Sequence, residues 1–165
     1  MSIKIAFAGD TCVGKTEYLE SLVHRILPKK SALNRLVYVV EEYVNVAKLQ
    51  YEYLGNMVDV SIYDISSELD IDVVKKAIPI YLGIDFLVIF NKAEKHTQTN
   101  LERIKFFTRL NPHSGCIKLN VRSLKAQKNL LQMDLLPTIL QYIIPDTDSV
   151  LLSSRSKLFR SIEQL

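Results

Sequence analysis

The stretch IKIAFAGDTCVGKT, Ile3 to Thr16, decides how the rest of the chain is read. Its second half, GDTCVGKT, is a complete G-x-x-x-x-G-K-S/T phosphate-binding loop running from Gly9 to Thr16, preceded by a strand-like apolar run and followed by a helical pattern. The chemistry needs that order. Glycines let the backbone fold so that successive N–H groups point at an anion, and the helix that follows adds its positive N-terminus. Lys15 supplies a charge for the outer phosphates and Thr16 a hydroxyl for a magnesium ion. Asp10, Thr11, Cys12, Val13 and Gly14 complete the loop. The bland alternative is a glycine turn that joins strand to helix, so the reading depends on whether the remaining residues can use a bound nucleotide.

Composition sets the frame. The chain has 165 residues, 48% hydrophobic and 24% charged, which suits one globular domain spanning 1–165. The net charge is +3, and the basic residues are spread along the chain rather than clustered, which gives nucleic-acid binding no support. Cys12 and Cys116 lie far apart without metal-ligand spacing, which argues for a reducing compartment, against a disulfide frame and against zinc. No stretch approaches the 18 or so apolar residues of a membrane span, and neither a signal peptide nor a lipidation motif is encoded. A cytoplasmic protein without a direct membrane anchor is expected.

Downstream of the loop, apolar residues at Leu19, Leu22, Val23, Ile26 and Leu27 have the helical period, and Pro28 ends the helix. A long connector, 29–40, leads to two expected strands, 43–54 and 57–63, joined by a turn at Gly55-Asn56. Asp64 ends that hairpin. A helix is expected over 69–80, then a buried central strand over 84–90 (IDFLVIF). A helix over 97–110 should turn Leu101, Ile104, Phe107 and Thr108 inward. A strand over 115–121 follows, then a helix over 125–144 kinked at Pro137, a last strand at 149–152 and a short helix at 156–165. Strands and helices alternate except for one hairpin. The expected fold is α/β: a doubly wound, mostly parallel six-stranded sheet with one antiparallel strand, helices on both faces, and its ligand at the carboxyl ends of the strands.

This order of elements around GDTCVGKT resembles a small GTPase of the Ras superfamily, and the Gly-Asp-x-x-Val-Gly-Lys-Thr form is similar to its Rab and Rho branches. The resemblance covers essentially the whole chain, shows again at YLGIDFLVIFNKAEKHTQTNLERI from Tyr81, and rests on spacing more than identity. It implies a P-loop domain that binds Mg²⁺ with GTP or GDP, with Thr16 and Asp64 on the metal side. It also implies a protein effector or complex partner meeting the connector and edge strand, residues 29–54. Tyr38, Tyr43, Tyr51 and Tyr53 there are either sheet core or an exposed surface for such a partner.

Outside the loop the family's motifs are eroded. The family carries a threonine in the connector that senses the γ-phosphate; here no threonine occurs between Thr16 and Thr97, and Ser31 falls early. The family's Asp-x-x-Gly-Gln becomes Asp64-Ile65-Ser66-Ser67-Glu68, which places Glu68 where a neutral amide should orient the attacking water. A carboxylate beside a triphosphate is a poor substitute, so hydrolysis should be very slow.

Two registers compete for the base motif. Asn91-Lys92-Ala93-Glu94 looks like the family's Asn-Lys-x-Asp but comes one strand and one helix too early, and is read as a decoy. The later register takes Asn120-Val121-Arg122-Ser123, with Asn120 and Ser123 as base-contacting positions and Ser154 in the last base-contacting loop. The competing register keeps the earlier motif but deletes a strand and a helix. Without the aspartate, guanine selectivity should fall. The expected function is therefore an atypical small-GTPase-like protein that binds nucleotide, hydrolyses it poorly and works by protein contact as a switch or scaffold. The alternatives are a working GTP-hydrolysing switch and, far less supported, a P-loop kinase, for which an arginine-bearing lid is missing: no arginine follows Asp64 before Arg103.

Overall fold

The computed structural model describes residues 1–10, 12–26, 39–41, 44–65, 72, 82–91, 98–121 and 123–144. Their elements are β1 (Ser2–Gly9), α1 (Lys15–Ile26), β2 (Val39–Glu41), β3 (Val44–Tyr53), β4 (Asn56–Asp64) and β5 (Phe86–Asn91), then α2 (Gln98–Leu110), β6 (Gly115–Asn120), α3 (Leu124–Gln132) and α4 (Leu136–Ile143). The chain is α/β with a mixed, mostly parallel sheet in the order β2-β3-β4-β1-β5-β6. Parallel pairs join β1 to β4 and β5, and β5 to β6; β3 pairs antiparallel with both β2 and β4.

Strand alternation sorts the core into two layers. Ile3, Ile5 and Phe7 of β1 share one cluster with Tyr18, Leu19 and Leu22 of α1 and with Leu130, Leu136 and Ile139 of α3 and α4. Ala6 and Ala8 of β1, with Leu87 and Ile89 of β5, form the other cluster, against Phe107 of α2. Helices therefore cover both faces, and the inner strands are buried on both sides, as parallel sheets require. All six residues of β5 are buried, matching the continuous apolar run in the sequence.

Several boundaries differ from expectation, each for a physical reason. The connector contains a strand, β2, at its end, held by pairing with β3 rather than by a pattern of its own. The hairpin turn is Leu54-Gly55, not Gly55-Asn56: both residues have positive φ (50° and 74°), which is the two-residue turn that matches strand twist, and Asn56 pairs with Tyr53. The helix expected over 125–144 is two helices broken at 133–135. Pro137 sits in the first turn of α4, where its missing N–H costs nothing, so it starts a helix rather than kinking one. On α2 the buried face carries Arg103 and Phe107, while Leu101 and Thr108 are exposed. The expected helix over 69–80, apart from Asp72, and the elements over 149–152 and 156–165 lie outside the described residues.

The break between α3 and α4 is closed by α1. Tyr18, fully buried, donates its hydroxyl to Met133 O (3.1 Å) and accepts from Leu135 N (3.2 Å). Ser21 donates to Leu131 O (3.0 Å) and Arg25 to Met133 O (2.8 Å), satisfying carbonyls at the end of α3 that have no helical partner. Burial pushes the Tyr18 phenol far above its ordinary pKa, so it stays a neutral donor. Tyr18→Phe removes both bonds and leaves the Leu135 N–H buried without an acceptor. It should destabilise the fold by about 1–3 kcal/mol, measured by urea unfolding.

Candidate functional site

The loop takes its shape from a close approach of β1 to β5. Gly9 has φ 131°, and a Cβ on it would lie 2.0 Å from Phe90 O, so no other residue fits. The next N–H, of Asp10, donates to that same Phe90 O (3.0 Å). Cys12 (φ 54°) and Gly14 (φ 84°) turn the backbone through the left-handed region before α1 begins. Tyr18 N donates to Gly14 O (2.8 Å), the first helical bond. The N–H groups from Gly14 to Glu17 therefore precede any helical acceptor and carry the positive end of a 12-residue helix.

Lys15 is buried, and its ammonium folds back over the loop to donate to Asp10 O (2.6 Å) and more weakly to Gly9 O (3.4 Å). Burial lowers its pKa; the charges of Asp64 and Asp10 oppose that shift, while the buried Arg103 of α2 adds to it. Beside it, Thr16 Oγ1 donates to Asp64 Oδ2 at 2.5 Å. Asp64 is the last residue of β4 and pairs in register with Phe7 of the central strand. Burial raises its carboxyl pKa, against the Thr16 bond and the Lys15 charge, which lower it. Val13 is buried in the α1 cluster and Cys12 is exposed. The site thus gathers the N–H groups at the start of α1, one ammonium, one hydroxyl and the carboxylates of Asp10 and Asp64.

Thr16 and Asp64 are the pair that could hold a divalent cation. Their hard oxygens suit Mg²⁺, which takes few protein ligands and fills its octahedron with water and phosphate oxygens. No cluster of three or more His, Cys, Asp or Glu side chains with metal-binding geometry occurs among the described residues.

The two candidate asparagines end neighbouring strands. Asn91 closes β5 and Asn120 closes β6, directly opposite each other in register. Asn91 Nδ2 donates to Asn120 Oδ1 (3.3 Å), and Val121 N donates to Asn91 O (2.8 Å). Val121, next to Asn120, is buried in the α1-side core. Ser123 caps α3, its hydroxyl accepting from Ala126 N (3.1 Å). Thr11, Ser31, Glu68, the Lys92–Glu94 part of the earlier motif and Ser154 lie outside the described residues, as does residue 122.

A cavity of about 490 Å³ at the opposite, amino edge is lined by Asp85, Asn111, His113 and Tyr142. Its side chains serve the fold: Asp85 accepts from Lys4 N, and Asn111 accepts from Ile84 N while donating to Phe107 O. The loop, not this cavity, gathers convergent N–H donors and an ammonium.

Sequence reasoning missed Tyr18, Arg103 and the pairing of Asn91 with Asn120. Arg103 stands four residues before Phe107 and seven before Leu110, a helical stripe that a charge-averse reading passes over. The asparagine pair has no sequence signal, because register between β5 and β6 is set in three dimensions. No described helix is long and apolar enough to cross a membrane. Compared with protein-family models and with curated proteins, the chain matches neither a family model nor a curated relative.

Two outcomes follow from this geometry. Gly9→Ala forces a Cβ into the β5 backbone and should cost about 3 kcal/mol in denaturant unfolding. Asp64 has a raised folded-state pKa, so its penalty on stability is absent below the ordinary carboxylate value, grows as pH rises from there, and is complete above the folded one. Asp64→Asn should therefore raise the melting temperature of the ligand-free protein near neutral pH, with the difference vanishing in strong acid.

Proposed function

We propose that the chain is an atypical small-GTPase-like protein that binds a nucleotide by its phosphates and works through protein contact. The observation that carries this reading is the buried Lys15 ammonium held over the loop carbonyls beside the Thr16–Asp64 pair, at the carboxyl edge of a mostly parallel sheet. A lysine ammonium beside the N–H groups at a helix N-terminus is a donor set that suits a phosphate, and a divalent cation would offset the charges of Asp10 and Asp64. The sheet order supports the same reading: the loop leaves β1 where the chain switches direction across the sheet, the place where open α/β sheets bind ligands.

In this reading the loop Gly9 to Thr16 binds the phosphates through the N–H groups from Gly14 onward and the Lys15 charge. Thr16 and Asp64 hold Mg²⁺, which when bound neutralises phosphate charge. Hydrolysis is slow because Glu68 and Ser67 replace the family's glutamine and glycine. The protein-binding surface is the segment 29–54, in which β2 and β3 form one margin of the sheet. The absence of any basic cluster leaves nucleic acid outside the partner set, and the cytoplasm is the compartment proposed.

With inorganic triphosphate and Mg²⁺ as the probe, calorimetry should detect binding that Lys15→Ala weakens about 100-fold, the value of a charge-assisted contact. GTP turnover should be the same in the wild type and in Lys15→Ala; turnover well above the variant would favour the working-GTPase alternative. Mass spectrometry of nucleotide retained on purified protein should find adenine and guanine forms together, whereas GDP or GTP alone would overturn the relaxed base selectivity.

A further inference from the structure

The buried polar side chains of the fold gather toward one edge of the sheet. Among the described residues, Asp10, Lys15, Asp64 and Asn91 are buried at the ends of β1, β4 and β5 or at the start of α1. Arg103 is the buried charge that comes from elsewhere, on α2. Asn111 is buried at the amino edge, where its use is structural. It accepts from Ile84 N and donates to Phe107 O, which pins the end of α2 to the residues leading into β5.

That anchor fixes where Arg103 lies. Counting back from Asn111, Arg103 stands about 12 Å along the helix toward the carboxyl ends of the strands. Phe107, one turn behind it, belongs to the cluster of Ala6 and Ala8 of β1 and Ile89 of β5. Helical side chains lean toward the N-terminus, so the Arg103 guanidinium extends past that layer, toward the strand ends that carry the loop. It is 5% exposed, and its charge opposes the Lys15 ammonium, on which Asp64 and Asp10 act with the opposite sign. Burying a guanidinium costs desolvation that an apolar residue on the same helix face would avoid. Two cations held together beside a phosphate loop gain from a multiply charged anion between them.

We infer that Arg103 is a second cation of the phosphate site, and that its charge makes the site prefer the longer, more highly charged polyphosphate. This rests on the phosphate-loop reading above and extends the site from α1 to α2. The ligand class is a triphosphate, free or esterified, in preference to shorter phosphates. Loop N–H groups bond the phosphate that lies in the loop and add similar affinity to each ligand. A charge on α2 attracts the whole anion, and that attraction grows with the charge the anion carries. A guanidinium stays ionised when buried, so this contribution is permanent. Its source on a helix that packs across β1 and β5 also ties ligand charge to the position of α2.

The test measures binding of inorganic pyrophosphate and triphosphate to the full chain with Mg²⁺, by calorimetry, for wild type, Arg103→Met, Arg103→Gln and Lys15→Ala. Arg103→Met keeps an unbranched chain that fills irregular space without charge, and so guards against loosened packing in Arg103→Gln. Both Arg103 variants should weaken triphosphate about tenfold and pyrophosphate about threefold, because the lost attraction scales with ligand charge. A residue that merely supports the fold would weaken the two ligands by one common factor. Circular dichroism and melting of each variant separate these effects from loss of fold. If Lys15→Ala abolishes triphosphate binding while the folded Arg103 variants bind both ligands as wild type does, or lose both equally, the second cation is refuted and the phosphate site stands. If Lys15→Ala leaves triphosphate binding intact, both readings fall.

Discussion

At Gly9 the central strand passes so close to β5 that Phe90 O occupies the space of a side chain. That approach places β1, β5 and the loop in one rigid unit. It sends Asp10 N to Phe90 O, starts the left-handed turns at Cys12 and Gly14, and aims the N-terminus of α1 across the carboxyl edge of the sheet. Asp64 at the end of β4 and Asn91 at the end of β5 flank the loop because those strands are the two parallel neighbours of β1. The site is a consequence of strand order as much as of the motif.

Its electrostatics set two buried, oppositely charged groups against desolvation. Desolvation depresses the Lys15 ammonium and raises the Asp64 carboxyl, both away from their ionised forms, and each is opposed by the other. Thr16 donates its hydroxyl to Asp64 Oδ2, which lowers the carboxyl pKa against that burial. Folding alone would favour less polar residues here, so stability and ligand binding pull in opposite directions at these positions.

The opposite side of α1 does structural work. Its hydroxyls and guanidinium close the open carbonyls where α3 stops and α4 has yet to start. Tyr51 of β3 reaches the same junction through Asp134 (3.4 Å), whose other oxygen accepts from Leu136 N. The helix whose N-terminus closes the loop is thereby tied along its length to the second half of the chain, and the proposed partner-facing strand β3 meets the same turn.

The amino-acid sequence by itself determined the loop, the first helix, the buried run of β5 and the alternation that makes the chain α/β. Those are local properties: glycine spacing, apolar period and helix or strand propensity act within a few residues. Tertiary structure decided what depends on pairing across the sheet. It made β2 a strand through β3, moved the hairpin turn to Leu54-Gly55, turned Arg103 inward beside Phe107, and set Asn91 against Asn120. Pro137 shows the same division: a proline in an apolar stripe reads as a kink, yet only the packing of α1 against residues 131–135 makes the break a boundary between two helices. Registers and burial are settled by neighbours distant in sequence, and so the loop was legible while the contact between Asn91 and Asn120 was not.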